Sequence, residues 1–166
     1  MVTLVRDETN IGVSVVTTLV AAGLLFQAAN SPDLRLFVPR FLELAVCYWV
    51  LASPSKVGII FAFGVGVLIN LIEGSYIGSA SIGLCLVAYV LLNNIFTIRQ
   101  LDWISQTVVI FLLIGISVAL QRVVLALFGV PSDGLSYLIP VLLTALIWRP
   151  SHIFIDRVRF RMSQIF

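Results

Sequence analysis

Residues 57–78 read VGIIFAFGVGVLINLIEGSYIG, an apolar run with small residues at regular steps. Gly58, Ala62 and Gly66 follow one another at intervals of four, and Asn70 takes the next interval. This spacing predicts a helix that carries all of them on one face. In a membrane such a face lets a second helix approach closely, and an asparagine on it can hydrogen-bond across the contact. We therefore expect this face to pack against another helix or to bind a partner's transmembrane helix.

The composition assigns the whole chain to the membrane. Of its 166 residues, 60% are hydrophobic and 11% are charged, whereas a soluble domain carries about 25% charged residues. We predict an all-α integral membrane protein with a single membrane domain over residues 1–166. No cleavable signal peptide is expected, because no small-residue cleavage site closes the first apolar run. Cys47 and Cys85 lie in apolar runs without CxxC spacing, which disfavours a disulfide or a metal site.

Apolar segments between turn signals predict six transmembrane helices. The second segment contains Pro39, and its uninterrupted apolar part, residues 44–52, is short. Five helices with a re-entrant second segment are therefore an alternative. The sixth helix either stops at residues 148–150, Trp-Arg-Pro, or kinks there and runs on to Ile155. The six predicted helices cover residues 11–29, 34–52, 57–72, 82–98, 104–128 and 135–155.

Basic residues are concentrated on one side of this topology. With an even number of helices both termini share a side, and cytoplasmic loops carry an excess of Lys and Arg, so both termini are predicted to be cytoplasmic. The basic end formed by Arg149, Arg157, Arg159 and Arg161 is expected to anchor the chain at the anionic inner leaflet. Recruitment of a cytoplasmic protein by this end is the alternative. The basic residues on the predicted cytoplasmic side are Arg6, Lys56, Arg99, Arg149, Arg157, Arg159 and Arg161, against Arg35 and Arg40 on the other side.

Polar residues within the helices are predicted to converge in the outer half of the membrane. At mid-bilayer each costs roughly 2–3 kcal/mol if it faces lipid, so these residues are expected to face inward and pair. Arg122 is expected to pair with Glu43 or with Glu73. An alternative is that Glu73 and Gln27 simply lie at the level of the lipid headgroups. The predicted outer-half polar pocket consists of Gln27, Glu43, Glu73, Gln121 and Arg122.

Catalytic and cofactor motifs are missing from the sequence. It contains no HExxH, no GxSxG, no GxxxxGK followed by Ser or Thr, and no GxGxxG. His152 is the only histidine and follows Pro150 at the basic end, where a solvated interfacial role outweighs catalysis. We therefore expect a non-enzymatic protein without a cofactor or a metal, and without a nucleic-acid partner.

Part of the sequence resembles a known family. Pro39, the run ELAVCYWVLASPSKV at residues 43–57, Gly66 and the segment 70–78 are similar in order and spacing to bacterial rod shape-determining proteins of the MreD family. The basic tail that follows residues 148–150 looks similar too. The specific part of the resemblance is confined to residues 39–78, while length and hydropathy resemble the family throughout.

The resemblance implies a non-enzymatic subunit of the cell-elongation machinery in the bacterial inner membrane. Its implied partners are the bitopic scaffold MreC, most directly, and in the same complex the glycosyltransferase RodA, a class B penicillin-binding protein and the MreB filament. Such a subunit binds a partner's transmembrane helix and scaffolds cell-wall synthases. One departure concerns Asn70, where many relatives carry an aspartate. Here the acid lies one turn further on, at Glu73.

The same family is similar in fold to the six-helix substrate-binding subunits of energy-coupling-factor vitamin transporters. In those proteins the ligand site opens to the outside. The likeness implies an alternative function, a small-molecule-binding subunit of a vitamin-type transporter, with the ligand in the outer-half polar pocket.

Overall fold

The described part of the chain consists of helices joined by short turns. The computed structural model describes residues 2–28, 38–130 and 138–165, and side chains in 12–25, 38–130, 138–151, 153 and 157. Within these ranges there is no strand, which confirms the all-α prediction. The helices are α1 Val2–Ala28, α2 Phe41–Ala52, α3 Ile59–Glu73, α4 Ser79–Asn93, α5 Ile95–Gln100, α6 Trp103–Leu127 and α7 Leu138–Ile165.

The helix ends differ from the predicted ones in places that have physical reasons. The predicted segment 82–98 is broken at Asn94, whose side-chain amide donates to the carbonyl of Val90 at 3.0 Å, so a short α5 follows α4. Helix α7 contains Pro150 and continues to Ile165, ten residues beyond the predicted end; a stop at residues 148–150 is therefore wrong. The sequence also predicts turns at 30–33, Asn-Ser-Pro-Asp, and at 129–134, GVPSDG; the first and most of the second lie outside the described residues.

Helix α2 forms the centre of the bundle. Every residue from Leu42 to Leu51 is buried, and α2 packs against α1, α3, α4, α6 and α7. Its 12 residues rise only about 18 Å, at 1.5 Å per residue. The hydrocarbon core of a bilayer is about 30 Å thick, so α2 alone is too short to cross it.

The other long helices form an arc around α2. Neighbours along the arc are α3 and α4, then α4 and α6, then α6 and α7, and finally α7 and α1. Glycines allow the close contacts in this arc. A Cβ on Gly83 of α4 would lie 2.6 Å from the carbonyl oxygen of Ser117 in α6, so only glycine fits there.

The outward-facing side chains are mostly apolar, although one helix alone meets a strict membrane-span criterion. Among the described residues, Trp103–Leu127 is long and apolar enough to cross a membrane. Six membrane crossings therefore stay a prediction. The shorter apolar helical segments are Gly12–Leu25, Phe41–Ala52, Ile59–Glu73, Ser79–Asn93 and Leu138–Ser151.

The bundle has two chemically different ends. At the carboxylate end, α2, α4 and α7 begin and α1, α3 and α6 finish, and here lie Glu43 and Glu73. At the tryptophan end, opposite, α3 and α6 begin and α2 finishes, close to Trp49, Trp103 and Trp148. Both glutamates lie at the carboxylate end, whereas most of the described basic side chains lie at the tryptophan end.

Candidate functional site

The start of α2 brings an arginine and a glutamate together inside the bundle. Glu43 lies in the first turn of α2, where the helix dipole favours a negative charge. Its Oε1 accepts a hydrogen bond from Nη1 of Arg40 at 2.7 Å, and Glu43 is only 2% exposed. The backbone N–H of Arg40 donates to Thr144 Oγ1 at 2.8 Å, and that hydroxyl donates to the Pro140 carbonyl at 2.6 Å. The arginine is thereby fixed between α2 and α7.

Two further helices complete what we call the charged cluster, which consists of Arg40, Glu43, Glu73 and Gln121. Arg40 Nη1 lies 3.8 Å from Oε1 of Glu73, at the end of α3, and donates to Gln121 Oε1, in α6, at 3.3 Å. The amide nitrogen of Gln121 donates to the other oxygen of Glu73 at 3.0 Å. The cluster therefore ties α2, α3 and α6 together at the carboxylate end.

The charged cluster is a tight electrostatic contact with little free space. One guanidinium faces two carboxylates, and within the described chain Oε2 of Glu43 is buried without a hydrogen-bond donor. The cavity beside Arg40, Glu43 and Glu73 has a volume of about 10 Å³, which is room for about one water molecule. Small-molecule sites typically occupy about 300–1,000 Å³. In this structure the cluster therefore has no room for a vitamin-sized ligand.

The predicted polar pocket is assembled in part. The structure brings Glu43, Glu73 and Gln121 together and adds Arg40, which the predicted pocket did not include, as a cation between the carboxylates. Arg122 is half-buried, one residue after Gln121 on α6. Gln27 lies in the last turn of α1, where side chains are not described. The i,i+3 spacing of Arg40 and Glu43 was the available signal for the missed residue.

Asn70 fastens the turn between α3 and α4. The side chain is fully buried, and its Oδ1 accepts hydrogen bonds from Ser75 Oγ at 3.1 Å, Ser79 Oγ at 3.0 Å and the backbone N–H of Ala80 at 3.2 Å. The last two donors belong to the first turn of α4, whose N–H groups need acceptors. The asparagine thus bonds across a helix contact, and the contact lies within the chain.

The small-residue face of α3 is covered by α4. A Cβ on Gly66 would lie 2.7 Å from Ser81 Oγ and 2.8 Å from Ser81 N, so glycine is required for the approach of the two helices. Ala62 is fully buried on the same face. Gly58 precedes the first turn of α3 and has open space around it. At Gly66 this face is therefore occupied by α4 of the same chain.

The tryptophan end carries the basic side chains. Arg149 is exposed, and its guanidinium carbon lies 5.3 Å from the centre of the Trp103 ring. Arg99 donates from Nε to the carbonyl of Leu51 at 2.9 Å, which satisfies one of the last carbonyls of α2. Arg157 is exposed two turns further along α7. Of the remaining predicted basic end, Arg159 and Arg161 lie in α7 with side chains outside the described set.

Comparison with known proteins places this architecture in a family. The family model described as rod shape-determining protein MreD matches residues 8–158. The chain belongs to the MreD family. A curated relative, the rod shape-determining protein MreD of Haemophilus influenzae, is 33% identical over 82 residues, which is 49% of this chain and 51% of that protein. The chain thus spans about half the length of the curated relative it matches, and no solved structure matches it.

Members of the MreD family are described as rod shape-determining proteins. The family expected from residues 39–78 and from the overall hydropathy is thereby confirmed. The predicted likeness to the transporter subunits stays a prediction, since no solved structure provides a comparison.

Proposed function

We propose that this chain is a non-enzymatic, multi-pass subunit of the cell-elongation machinery in the bacterial inner membrane. It binds the transmembrane helix of MreC and thereby holds cell-wall synthases in one complex. The observation that carries the proposal is the MreD family match over residues 8–158. RodA, a class B penicillin-binding protein and the MreB filament are the further proposed members of the complex, membrane lipids surround the chain, and both termini face the cytoplasm.

The distribution of polar side chains supports a membrane location. Soluble monomers rarely expose large contiguous apolar patches, yet here Ile60 is 90% and Leu127 is 82% exposed. Polar side chains are also buried inside the bundle and form hydrogen bonds there, which suits a lipid environment, in which polar groups must find partners within the protein. Buried polar residues include Ser14, Glu43, Asn70, Ser79, Ser81, Ser117, Gln121 and Thr144.

The outer face of α3 is the proposed binding surface for the MreC helix. Gly64 lies in the middle of α3, is exposed, and has no atom within 4 Å of the position of a Cβ. A glycine in a helix interior destabilises by about 0.5–1 kcal/mol relative to alanine, and no contact with the described residues compensates for it here. A small residue on an outer face lets a second helix approach closely. Ile60, Phe63 and Leu71, all exposed, flank it on the same face.

Co-purification with MreC tests this surface. The Gly64→Leu substitution fills the space that the partner's backbone would occupy, so we expect tagged protein in membranes to lose MreC while still inserting. The matched control is Gly12→Leu, because Gly12 is equally open but lies on α1. This control should retain MreC. Gly66→Leu is unsuitable, because it would drive a side chain into Ser81 and disturb folding.

The experiment tests the proposed surface separately from the proposed function. If Gly64→Leu retains MreC, the surface is wrong; if wild-type protein does not co-purify with MreC at all, the proposed function is wrong. Restoration of rod shape in cells depleted of their own MreD gives an independent readout. Gly64→Leu should leave such cells round, whereas Gly12→Leu should restore the rod.

A further inference from the structure

A larger cavity opens at the tryptophan end, away from the charged cluster. It lies between the start of α6 and the middle of α7 and has a volume of about 230 Å³. This is far more than the space that one water molecule needs, and it can hold a phosphate group with its glycerol. The lining residues are Trp103, Gln106, Trp148, Arg149 and Ile153.

The floor of this cavity is fixed by side-chain hydrogen bonds. Trp148 is 2% exposed, and its indole N–H donates to Gln106 Oε1 at 3.5 Å. The amide nitrogen of Gln106 donates in turn to the carbonyl of Ile98 at 3.4 Å. The rim is different, because Trp103 and Ile153 are exposed. The cavity thus joins a polar, fixed floor to the apolar outer surface of the bundle.

One cation is directed at the cavity. The Arg149 guanidinium stacks over the Trp103 ring at 5.3 Å, and stacking of this kind leaves the in-plane N–H groups of arginine available to an anion. In the part of the chain with described side chains, no carboxylate pairs with it. The guanidinium geometry matches two phosphate oxygens at once.

The surroundings of the cavity are basic as well. The described charged side chains at this end are Lys56, Arg99, Arg149 and Arg157, against Asp102. Asp102 precedes the first turn of α6 and makes no side-chain cap bond, and the N-terminus of that 25-residue helix adds a partial positive charge. Positive charge therefore exceeds negative charge where the cavity opens.

We propose that this cavity binds the headgroup of an anionic membrane lipid of the phosphatidylglycerol type. Arg149 contacts the phosphate, Gln106 lies at the floor beside the glycerol, and Trp103 and Ile153 contact the upper part of the acyl chains. The lipid is favoured over a soluble phosphoester because the rim is apolar and continuous with exposed Ile104. Basic pockets between membrane helices are suited to such headgroups. The proposal concerns a site that is separate from the MreC surface.

Tryptophan quenching by brominated lipids tests the proposal. The full chain is reconstituted into phosphatidylcholine vesicles that contain a brominated lipid. This lipid is either phosphatidylglycerol or phosphatidylcholine, each brominated on the acyl chains near the glycerol and each present at the same mole fraction. We expect stronger quenching by the brominated phosphatidylglycerol, because Trp103 and Trp148 line the site. Arg149→Gln should abolish this excess, and Arg157→Gln, the same change on the same helix, should preserve it. Trp103→Phe should reduce the excess.

Three outcomes overturn the proposal. Equal quenching by the two lipids in the wild-type protein shows that there is no anionic preference. If Arg149→Gln and Arg157→Gln both lose the excess quenching, the preference for the anionic lipid comes from the overall surface charge and not from a specific site. Loss of the excess on addition of soluble glycerol phosphate shows a site for free phosphoesters. Unchanged size-exclusion profiles of the variants serve as the folding control, and MreC is absent from the assay, so its result is independent of the proposed function.

Discussion

Arg40 is the residue on which the charged cluster depends. Its guanidinium is the cation that faces both Glu43, at 2.7 Å, and Glu73, at 3.8 Å. Removing one partner of a buried ion pair is costly, because the remaining charge is left without compensation in a medium of low polarity. Here two carboxylates would be left together. The arginine is also fixed through its backbone by Thr144, so it is poorly replaced by a mobile side chain.

We expect Arg40→Met to destabilise the protein by on the order of 3 kcal/mol, the lower end of the cost of breaking a buried pair. The lower end is appropriate because the Arg40 side chain is 13% exposed. Thermal unfolding in detergent measures the effect. The control is Arg157→Met, which removes an exposed charge and should leave the midpoint unchanged. An Arg40→Met midpoint equal to that of wild type would contradict the role assigned to the cluster.

The two carboxylates of the cluster should contribute unequally to the stability of the protein. Glu43 is 2% exposed and lies 2.7 Å from the guanidinium, whereas Glu73 is 21% exposed and lies 3.8 Å away. Glu43→Gln breaks the shorter, more buried pair. Glu73→Gln leaves that pair intact and removes the second negative charge. We expect the unfolding midpoint to fall clearly in the first variant and to change little in the second; the reverse order would be inconsistent with the geometry.

At the scale of helices, close packing through glycine holds α3, α4 and α6 together. Gly66 permits the approach of α3 to Ser81, and Gly83 permits the approach of α4 to Ser117. Asn70 adds hydrogen bonds from the end of α3 to the start of α4. Helices α3 and α4 are therefore packed closely against each other, and the face of α3 at Gly66 is occupied by α4.

A matched pair of glycines on α3 tests this element. Gly66→Ala places a Cβ 2.7 Å from Ser81 Oγ, so the helices must separate and the protein should be destabilised. Gly64→Ala, two residues away, meets open space and should stabilise by about 0.5–1 kcal/mol through better helix propensity. Thermal unfolding of both variants in the same detergent compares them directly. Equal shifts of the unfolding midpoint would show that stability does not depend on which face of α3 carries the added methyl group.

The helices were predictable from sequence because apolar length and turn residues determine them locally. The face of α3 was predictable too, since a four-residue step defines a face in any helix. The helix that packs against this face was not predictable, because residue spacing carries no information about which helix lies opposite. The cluster of Arg40, Glu73 and Gln121 depends on three helices far apart in the chain, so the prediction of a helix over residues 34–52 did not reveal which groups Arg40 contacts.

Local sequence rules also do not decide between two structures of similar free energy. A proline after an apolar run either ends a helix or kinks it, and the sequence left both open at Pro150. The structure continues α7 to Ile165. The contact of Gly83 with Ser117 was missed for another reason, since a single glycine and a single serine form no periodic pattern.

At the scale of the whole molecule, charge is distributed unequally between the two ends. At the tryptophan end, the described basic side chains of Lys56, Arg99, Arg149 and Arg157 outnumber Asp102. At the carboxylate end, the described side chains of Arg40 and Arg122 are balanced by those of Glu43 and Glu73. An excess of Lys and Arg marks the cytoplasmic side of a membrane protein. The charges therefore favour the orientation that we propose, with the tryptophan end on the cytoplasmic side.

Reporter fusions test this orientation. The start of α1 and the end of α7 lie toward the tryptophan end, as does the turn at Lys56, whereas Gly129 follows α6 at the carboxylate end. We expect green fluorescent protein to fluoresce when fused to either terminus or after Lys56, because it folds in the cytoplasm. Alkaline phosphatase, which needs an oxidising compartment, should be active only when fused after Gly129. Phosphatase activity at either terminus would reverse the orientation and would move the Arg149 cavity to the outer leaflet.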